Sequence, residues 1–356
     1  MKALVVGLGS IGQRHVRNLR ALLGDSLEVL AYRVRRLTYV VTPTLEMDSH
    51  RNFESEYGIQ VFDSLESALA EKPQVALICN PSSLHIPAAL ACAQAGCDLF
   101  LEKPVSSSME GVPELTDAVK KNRRVVMVGY QLRFHPCIQG LQEIVRSGLL
   151  GRLLAVRAVV GEYLPAWHPY EDYRQTYAAR ADLGGGAILS QIHEFDYLYS
   201  MFGPPRRLFS LGGHWSRLEV DVEDSASTLM ECRFDGRPLP VHLQQDYLQR
   251  PSSRSCEVIG DEGKAFMDLA GLSLSRYDRE GKLADYCQWK NFERNQLFLD
   301  EMRHFLDCVE TRREPLVGLA DGVSSLRVAL AAKESTAQGG LVELNVVNAD
   351  AANASR

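Results

Sequence analysis

In the first third of the chain, short continuous apolar runs alternate with runs in which apolar residues recur at helical spacing. The continuous runs predict strands at residues 3–6, 28–32, 75–79, 98–101 and 125–128. The helical runs predict helices at residues 64–71, 85–95 and 109–122. This alternation is typical of a parallel sheet covered by helices on both faces. Residues 34–57 show no clear period, and we interpret them as an insertion that forms a lid or contacts a partner.

Beyond Gly129 the pattern changes to short alternating runs separated by brief turns, which favours antiparallel strands. Strands are predicted at residues 152–163, 207–211, 225–234, 241–247, 255–259, 264–269 and 272–277. Helices are predicted at residues 139–147, 187–202, 292–311 and 322–335. The pattern therefore predicts an α/β domain followed by an α+β domain with a large, mostly antiparallel open sheet.

The run Gly7-Leu8-Gly9-Ser10-Ile11-Gly12 directly follows the first predicted strand and leads into a helical pattern. In this position a G-x-G-x-x-G run makes a tight turn, lets the backbone approach a pyrophosphate and lets the next helix pack closely on the strand. The unpaired N–H groups at the start of that helix then face the anion. We therefore expect a Rossmann dinucleotide-binding domain at residues 1–129, an α+β substrate and oligomerisation domain at 130–345, and a tail at 346–356.

Composition narrows the partners and the compartment. The formal charge of −6 argues against nucleic acid or an anionic membrane as a general partner. No apolar run approaches the roughly 20 residues that span a bilayer, and no signal-peptide pattern precedes the first strand. The eight cysteines include no C-x-x-C motif and lie among apolar neighbours, which favours reduced thiols and a cytoplasmic protein. No cluster has the spacing of a metal site, so we expect no metal.

A second motif, Glu102-Lys103-Pro104, directly follows the predicted strand at residues 98–101. Ligands of open parallel sheets bind outside the carboxyl ends of the strands, so these side chains are expected at the cofactor crevice. The alternative is a solvated Glu–Lys pair before a loop.

These motifs, with Asn80-Pro81-Ser82-Ser83-Leu84-His85 and with Gly184-Gly185-Gly186 followed by His193 and Asp196, closely resemble the Gfo/Idh/MocA oxidoreductase family over nearly the whole chain. The resemblance implies a cofactor-binding set made up of Gly7, Gly9, Ser10, Ile11, Gly12, Asn80, Pro81, His85, Glu102 and Lys103. It implies Lys103 and His193 as the catalytic residues. It also implies hydride transfer between NAD or NADP and a secondary alcohol or ketone of a sugar, an inositol or a nucleotide sugar. Related alternatives are an NAD-dependent glycosidase and a non-catalytic dinucleotide- or sugar-binding regulator.

The chain departs from the family pattern just before His193. Relatives often carry an aspartate three or four residues earlier, where this chain has Leu189 and Ser190. Three alternatives are open. Asp196 or Asp182 takes the place of this aspartate, Ser190 is sufficient in its position, or this branch of the family uses different chemistry. The alternative for His193 is a structural histidine beside the apolar stripe of the predicted helix at residues 187–202.

The residues at the end of the second predicted strand indicate which dinucleotide binds, because NAD-preferring folds carry an acidic residue there. Here Tyr32 is followed by Arg33-Val34-Arg35-Arg36, with no acid. Arg33, with Arg35 or Arg36, suits a 2′-phosphate, which favours NADP over NAD. The alternative is a solvated basic turn.

Residues 163–174 combine several aromatic side chains with Asp172 and Arg174, a composition that suits either stacking on a sugar ring or packing. The candidate substrate residues are Arg133, Trp167, Tyr173, Arg174, Ser190 and His193. We expect a small carbohydrate as the substrate. We also expect a homodimer or homotetramer formed through the C-terminal sheet, because an exposed apolar sheet face is usually covered by another subunit.

Overall fold

The computed structural model describes residues 1–34, 39–42 and 45–344. Up to residue 134 the elements are β1 (Lys2–Val6), α1 (Ser10–Leu23), β2 (Glu28–Tyr32), β3 (Val40–Val41), β4 (Met47–Asp48), α2 (Phe53–Tyr57), β5 (Ile59–Phe62), α3 (Leu65–Ala70), β6 (Val75–Ile78), α4 (His85–Gln94), β7 (Asp98–Leu101), α5 (Val112–Asn122) and β8 (Val126–Val128). The later elements are α6 (Pro136–Arg146), β9 (Leu153–Gly161), α7 (Ala187–Ser190), α8 (His193–Phe202), β10 (Arg207–Gly213), β11 (Ser225–Phe234), β12 (Arg237–Asp246), β13 (Ser253–Gly260), β14 (Gly263–Asp268), β15 (Ser273–Asp278), β16 (Leu283–Gln288), α9 (Arg294–Thr311), α10 (Leu319–Gln338) and β17 (Val342–Glu343).

The chain packs into two compact units that are not contiguous in sequence. The first comprises Met1–Phe134, Pro165–Gly185 and Glu293–Leu326, and the remainder forms the second. This division differs from the contiguous boundaries expected near residues 129 and 345, because two later segments pack with the N-terminal part. Met302 and Phe305 of α9, for example, share one buried core with Phe100 and Met127. The expected tail at 346–356 lies outside the described residues.

The first unit is built on a six-stranded, wholly parallel sheet of order β5-β2-β1-β6-β7-β8. Every residue of β6 and β7 is buried, which explains why these strands read as continuous apolar runs. The chain reverses its direction of winding at β1 and β6, and the loops that follow these two strands lie side by side. Open α/β sheets bind their ligands at this reversal point, so the predicted α/β dinucleotide-binding fold is confirmed.

The insertion expected at residues 34–57 contains the two-residue strands β3 and β4 and the short helix α2. The buried Gln13 of α1 holds part of it against the first strand–helix loop. Its Nε2 donates to the Tyr39 carbonyl at 3.0 Å, and its Oε1 accepts from the Val41 N–H at 2.8 Å. A lid or partner contact for this insertion stays a prediction.

The second unit contains a nine-stranded sheet of order β16-β15-β14-β13-β9-β12-β11-β10-β17. Its pairings are antiparallel except for β9 with β12, which confirms the predicted large, mostly antiparallel sheet. Alternating burial along β10, with Leu208 and Ser210 buried and Phe209 and Leu211 exposed, shows that one face is covered and the other open.

The single helix predicted at residues 187–202 is wrong, because the structure divides it into α7 and α8. Gln191 has φ −101° and ψ 36°, which interrupts the helical backbone. Its side-chain Nε2 donates to the Asp246 carbonyl at 2.9 Å, and its own carbonyl accepts from Gln245 Nε2 at 2.9 Å. These two hydrogen bonds to β12 stabilise the break, and they make His193 the first residue of α8.

Candidate active site

The glycine run forms a tight turn at the carboxyl end of β1. Gly7 has φ +97° and its N–H donates to the Tyr32 carbonyl at 2.9 Å. A Cβ at Gly7 would lie 2.9 Å from the backbone nitrogen of Asn80, in the loop after β6. A Cβ at Gly12 would lie 2.1 Å from the Gly7 carbonyl oxygen. Only glycine at both positions allows the turn and α1 to pack this closely.

The start of α1 has the features that an anion requires. Gly9 is its N-cap, no side chain caps it among the described residues, and its first turn carries no acidic residue. A Cβ at Gly9 would meet nothing within 4 Å, so the space in front of the turn is open. The first N–H groups and the helix dipole therefore face that space, which fits the pyrophosphate of a dinucleotide. Gly7, Gly9, Ser10, Ile11 and Gly12 are the residues that would hold it.

Arg33 lies just beyond the end of β2, where the ribose end of a dinucleotide is expected. It forms an ion pair with Glu54 of α2, and only about a tenth of its side chain is exposed. Arg35 and Arg36 lie outside the described residues. Glu54 therefore places an acidic side chain beside Arg33, the basic residue that was expected to bind the cofactor. No motif at the end of β2 indicated Glu54.

The loop after β6 carries Asn80, Pro81 and His85. The imidazole of His85 is buried between two carbonyl oxygens, with Nε2 2.8 Å from that of Asn80 and Nδ1 2.8 Å from that of Pro104. Burial lowers the pKa of His85, and the hydrogen bonds to these carbonyls oppose the shift. His85 therefore joins the loops after β6 and β7. The Asn80 side chain donates to the Leu84 carbonyl at 3.0 Å, and its buried Oδ1 has no hydrogen-bond partner among the described residues.

Glu102 follows β7 at the same edge of the sheet and is nearly buried. His15 of α1 donates from Nε2 to Glu102 Oε1 at 2.6 Å, and the Lys103 N–H donates to Oε2 at 3.2 Å. His15 is fully buried, with the Phe100 ring 4.8 Å from its own. His15 was not among the candidate site residues. Its position three residues after Gly12, on the face of α1 that packs against the sheet, is the signal that could have singled it out.

A second carboxyl group lies near Glu102. Glu301 of α9 is fully buried, and neither of its carboxyl oxygens has a hydrogen-bond partner among the described residues. Burial, and to a lesser degree the nearby Glu102 carboxylate, raises the pKa of Glu301 well above its usual value. Burial therefore favours the neutral form of this group in the folded protein.

Lys103, the candidate catalytic lysine, comes directly after Glu102 and is half-buried at the carboxyl end of β7. The Lys103–Pro104 peptide is cis. Arg133 lies in a single helical turn after β8, half-buried, with its N–H donating to the Tyr130 carbonyl at 3.0 Å. The loops that carry Lys103 and Arg133 thus follow neighbouring strands of the parallel sheet.

Residues 165–174 of the aromatic segment also belong to the first unit, and one of their side chains contacts the glycine turn. Tyr170 makes a side-chain hydrogen bond with Ser10, and its ring lies 6.3 Å from that of Tyr39. Desolvation raises the pKa of Tyr170 well above its usual value, so it remains a neutral hydroxyl. Tyr170 was not among the candidate site residues, and the sequence offers no signal that separates it from its aromatic neighbours.

The candidate substrate residues of this segment are placed differently from one another. Trp167 and Tyr173 are half-buried, whereas Arg174 is exposed. Arg174 Nε donates to Asp172 Oδ1 at 2.9 Å, and its guanidinium lies 5.9 Å from the Tyr173 ring. An incoming anion would have to compete with Asp172 for Arg174.

His193 and Ser190 belong to the second unit and are both buried. The next residue, Glu194, is fully buried and forms a two-point ion pair with Arg254 of β13, at 2.7 and 3.0 Å. Burial raises the pKa of Glu194, and Arg254 opposes the shift. This pair and the hydrogen bonds of Gln191 fix the backbone on either side of His193.

Two absences hold for the described part of the chain. No group of three or more His, Cys, Asp or Glu side chains there could hold a metal ion. None of the helices that the structure describes has both the length and the apolar character needed to cross a membrane.

A parallel sheet with an uncapped helix start behind the glycine turn after β1, and a Glu–Lys pair after β7, the next strand but one in the sheet, define an NAD(P)-binding oxidoreductase. Residues 1–130 match the Gfo/Idh/MocA oxidoreductase family with its NAD-binding Rossmann fold, and residues 138–266 match the C-terminal domain of that family. The chain belongs to the Gfo/Idh/MocA family.

Several relatives match over almost their full length. The chain is 26% identical to a myo-inositol 2-dehydrogenase of Thermotoga maritima, covering 98% of this chain and 99% of the relative. It is 24% identical to the NAD⁺-dependent scyllo-inositol 2-dehydrogenase of Bacillus subtilis, covering 98% of each. The solved WlbA dehydrogenase of Bordetella pertussis, in complex with NADH and UDP-GlcNAcA, superposes with a TM-score of 0.78 at 20% identity, covering 97% of this chain and 99% of that one. At 20% identity, the similarity to the WlbA dehydrogenase shows the fold alone.

Proposed function

We propose that this protein is an NAD(P)-dependent dehydrogenase that transfers a hydride between nicotinamide and a secondary alcohol or ketone of a sugar, an inositol or a nucleotide sugar. The observation that carries the proposal is the uncapped start of α1 behind the Gly7–Gly12 turn, at the same sheet edge as Glu102 and Lys103. The substrate class is supported by the relatives, which are named for inositols and sugars.

In this proposal the bound dinucleotide would accept or supply the hydride, and side chains of the protein would stabilise the developing charge and transfer the proton. The Lys103 ammonium stabilises the charge that develops on the substrate oxygen as the hydride leaves. His193 accepts the proton of the alcohol, the role that histidine most often has in general acid–base catalysis. Glu102, fixed by His15, holds the nicotinamide ribose through its carboxylate. Arg133, Trp167, Tyr173, Arg174 and Ser190 are proposed substrate contacts.

The choice of dinucleotide depends on Arg33. The sequence favours NADP because basic residues follow β2, but Glu54 already neutralises the guanidinium of Arg33. A 2′-phosphate would have to displace Glu54 and would meet its negative charge. We therefore propose that Glu54 discriminates against NADP and that the protein binds NAD at least as well.

We also propose that two copies associate through the open face of the nine-stranded sheet. Phe209 of β10 and Leu229 of β11 lie opposite each other on that face and are 40% and 53% exposed. A homodimer or homotetramer would cover this apolar surface. Light scattering should give a molar mass that is a multiple of the mass of one chain. Leu229→Glu should reduce it to the mass of one chain.

The free thiols suit a reducing compartment, so we propose a cytoplasmic location.

The first test is calorimetric titration of the purified protein with NAD, NADP and their reduced forms, after denatured supernatant has been checked for carried-over cofactor. The second is turnover, followed at the nicotinamide absorbance with a panel of inositols, sugars and nucleotide sugars. Lys103→Met and His193→Gln should each lower kcat by about 10²- to 10⁴-fold, and His193→Gln should also keep dinucleotide affinity. The exposed Lys121→Met and His50→Gln are matched controls that should change neither value.

The outcomes separate the alternatives. Dissociable dinucleotide with turnover supports the dehydrogenase. NAD that co-purifies, does not exchange and gives no net turnover points to the glycosidase alternative. Dinucleotide binding with no turnover on any substrate points to a regulator. Failure to bind any dinucleotide would refute the proposal.

A further inference from the structure

The C-terminal end of α4 brings two cysteines together by a specific backbone motif. The Cys97 N–H donates to the Cys92 carbonyl at 3.0 Å, and the Gly96 N–H donates to the Ala93 carbonyl at 3.2 Å. Gly96 adopts φ +94°. These two hydrogen bonds and the left-handed glycine define a Schellman motif, in which the side chains at the positions of Cys92 and Cys97 usually make an apolar contact. In this chain both positions are thiols.

The two thiols are close enough to influence each other. Both residues are fully buried, and each thiol shifts the pKa of the other. The Cys97 thiol also lies 3.3 Å from the Pro73 carbonyl oxygen, to which it donates. Close interaction between the two thiols raises the pKa of Cys92 well above its usual value and lowers the pKa of Cys97.

The backbone geometry suits a covalent bond between these sulfurs. Disulfides join residues whose α-carbons are about 4.4 to 6.8 Å apart and whose β-carbons point toward each other. The Cys97-to-Cys92 backbone hydrogen bond keeps the α-carbons close, and the Schellman motif places the two side chains where they usually contact each other.

We propose that Cys92 and Cys97 are a redox modification site, at which the two thiols form a reversible disulfide by exchange with a small-molecule disulfide such as oxidised glutathione. The Cys97 thiolate attacks one sulfur of the reagent, forms a mixed disulfide and expels one thiolate. The Cys92 sulfur then attacks Cys97 Sγ and expels the second thiolate. The two cysteine protons end on the two released thiols, and the two electrons that the protein loses reduce the reagent.

Access to the buried pair comes from the turn that connects it. Residues 94–96 are exposed, while both thiols lie beneath them. Helix ends open locally at a free-energy cost far below that of unfolding the whole protein. Opening of the last turn of α4 would bring a reagent to Cys97 first, because this residue follows the exposed turn. Exchange should therefore be slow in the native protein, and faster in mild denaturant.

The pair is placed so that oxidation should spare the dinucleotide site. It lies between the end of α4 and the start of β7, whereas His85 begins α4 and Glu102 follows the end of β7. The disulfide would close a short loop at the opposite end of this helix–strand pair. We expect the oxidised protein to keep its dinucleotide affinity within about twofold and to show a thermal midpoint higher by about 2 to 4 °C.

The test uses the full-length, fully reduced protein incubated with oxidised glutathione, followed by alkylation of the remaining thiols and mass spectrometry. The expected result is an intact mass lower by about 2 Da before alkylation, with Cys92 and Cys97 protected together. Dithiothreitol should reverse the change. Cys232→Ser, a buried cysteine in the other unit, is the matched control and should behave as the parent.

Cys92→Ser should stop at a glutathione mixed disulfide on Cys97, and Cys97→Ser should form no disulfide at Cys92. If either variant fails to fold, peptide mapping of the oxidised parent still decides the matter. The proposal is wrong if Cys92 and Cys97 remain alkylated after oxidation, or if the 2 Da loss maps to another pair. This outcome is independent of whether the protein binds a dinucleotide.

Discussion

The buried carboxyl group of Glu301 should make the free energy of unfolding depend on pH in a way that glutamine would abolish. Burial and the Glu102 carboxylate raise the pKa of Glu301 well above its ordinary value of 4.5 in the folded protein. The unfolded chain releases this proton near that ordinary value. Between the two pKa values the folded state therefore holds one more proton than the unfolded state, and stability falls as pH rises.

The magnitude follows from one proton. Each pH unit in that window changes the free energy of unfolding by about 1.4 kcal/mol. Glu301→Gln has nearly the shape of the protonated carboxyl group and cannot titrate, so the variant lacks this loss. Over one pH unit inside that window, the free energy of unfolding of the variant, minus that of the parent, should therefore rise by about 1.4 kcal/mol.

Urea unfolding followed by tryptophan fluorescence at several pH values measures this difference. Glu310→Gln, an exposed position on the same helix, is the matched control, and its curve should run parallel to that of the parent. Parallel curves for Glu301→Gln would mean that Glu301 is ionised in the folded protein. A difference that falls with pH would show that something holds the carboxylate form.

Two further predictions concern the dinucleotide. In Gly12→Ala the new methyl would lie 2.1 Å from the Gly7 carbonyl oxygen, so α1 must shift. Calorimetry should show at least a tenfold loss of dinucleotide affinity (about 1.4 kcal/mol). The control Gly340→Ala, where the methyl meets nothing within 4 Å, should bind the dinucleotide as the parent does. Glu54→Gln should free Arg33 for a 2′-phosphate and raise NADP affinity relative to NAD about tenfold; an unchanged ratio would mean that the Arg33–Glu54 pair does not face the ribose.

The sequence predicts most of the parallel sheet because β1, β6 and β7 are buried on both faces and read as continuous apolar runs. It misses β5 and β16 for the opposite reason. In β5 only Ile59 is buried, and in β16 every residue is exposed, so neither strand shows an apolar face. The pattern of apolar residues can identify a strand only where at least one face of that strand is buried.

The site was predictable where a function depends on neighbours in sequence. The Gly7–Gly12 turn and the Glu102–Lys103 pair are local motifs, and both lie at the expected sheet edge. The partners that tune them are distant along the chain. His15 contacts Glu102 at a sequence separation of 87 residues, and Arg33 pairs with Glu54 of a helix in a segment without a clear period. The break at Gln191 likewise depends on backbone groups of β12, which no local pattern encodes.

The position of α9 also governs when during synthesis the protein can complete its nucleotide-binding half. Phe305 and Met302 leave the ribosome long after the glycine turn and after every strand of the parallel sheet, yet they fill the same core as Phe100. A nascent chain that ends near residue 290 would therefore carry a finished sheet with uncovered apolar surface, exposed to chaperones and proteases. A late stop codon would damage the earliest-made part of the molecule.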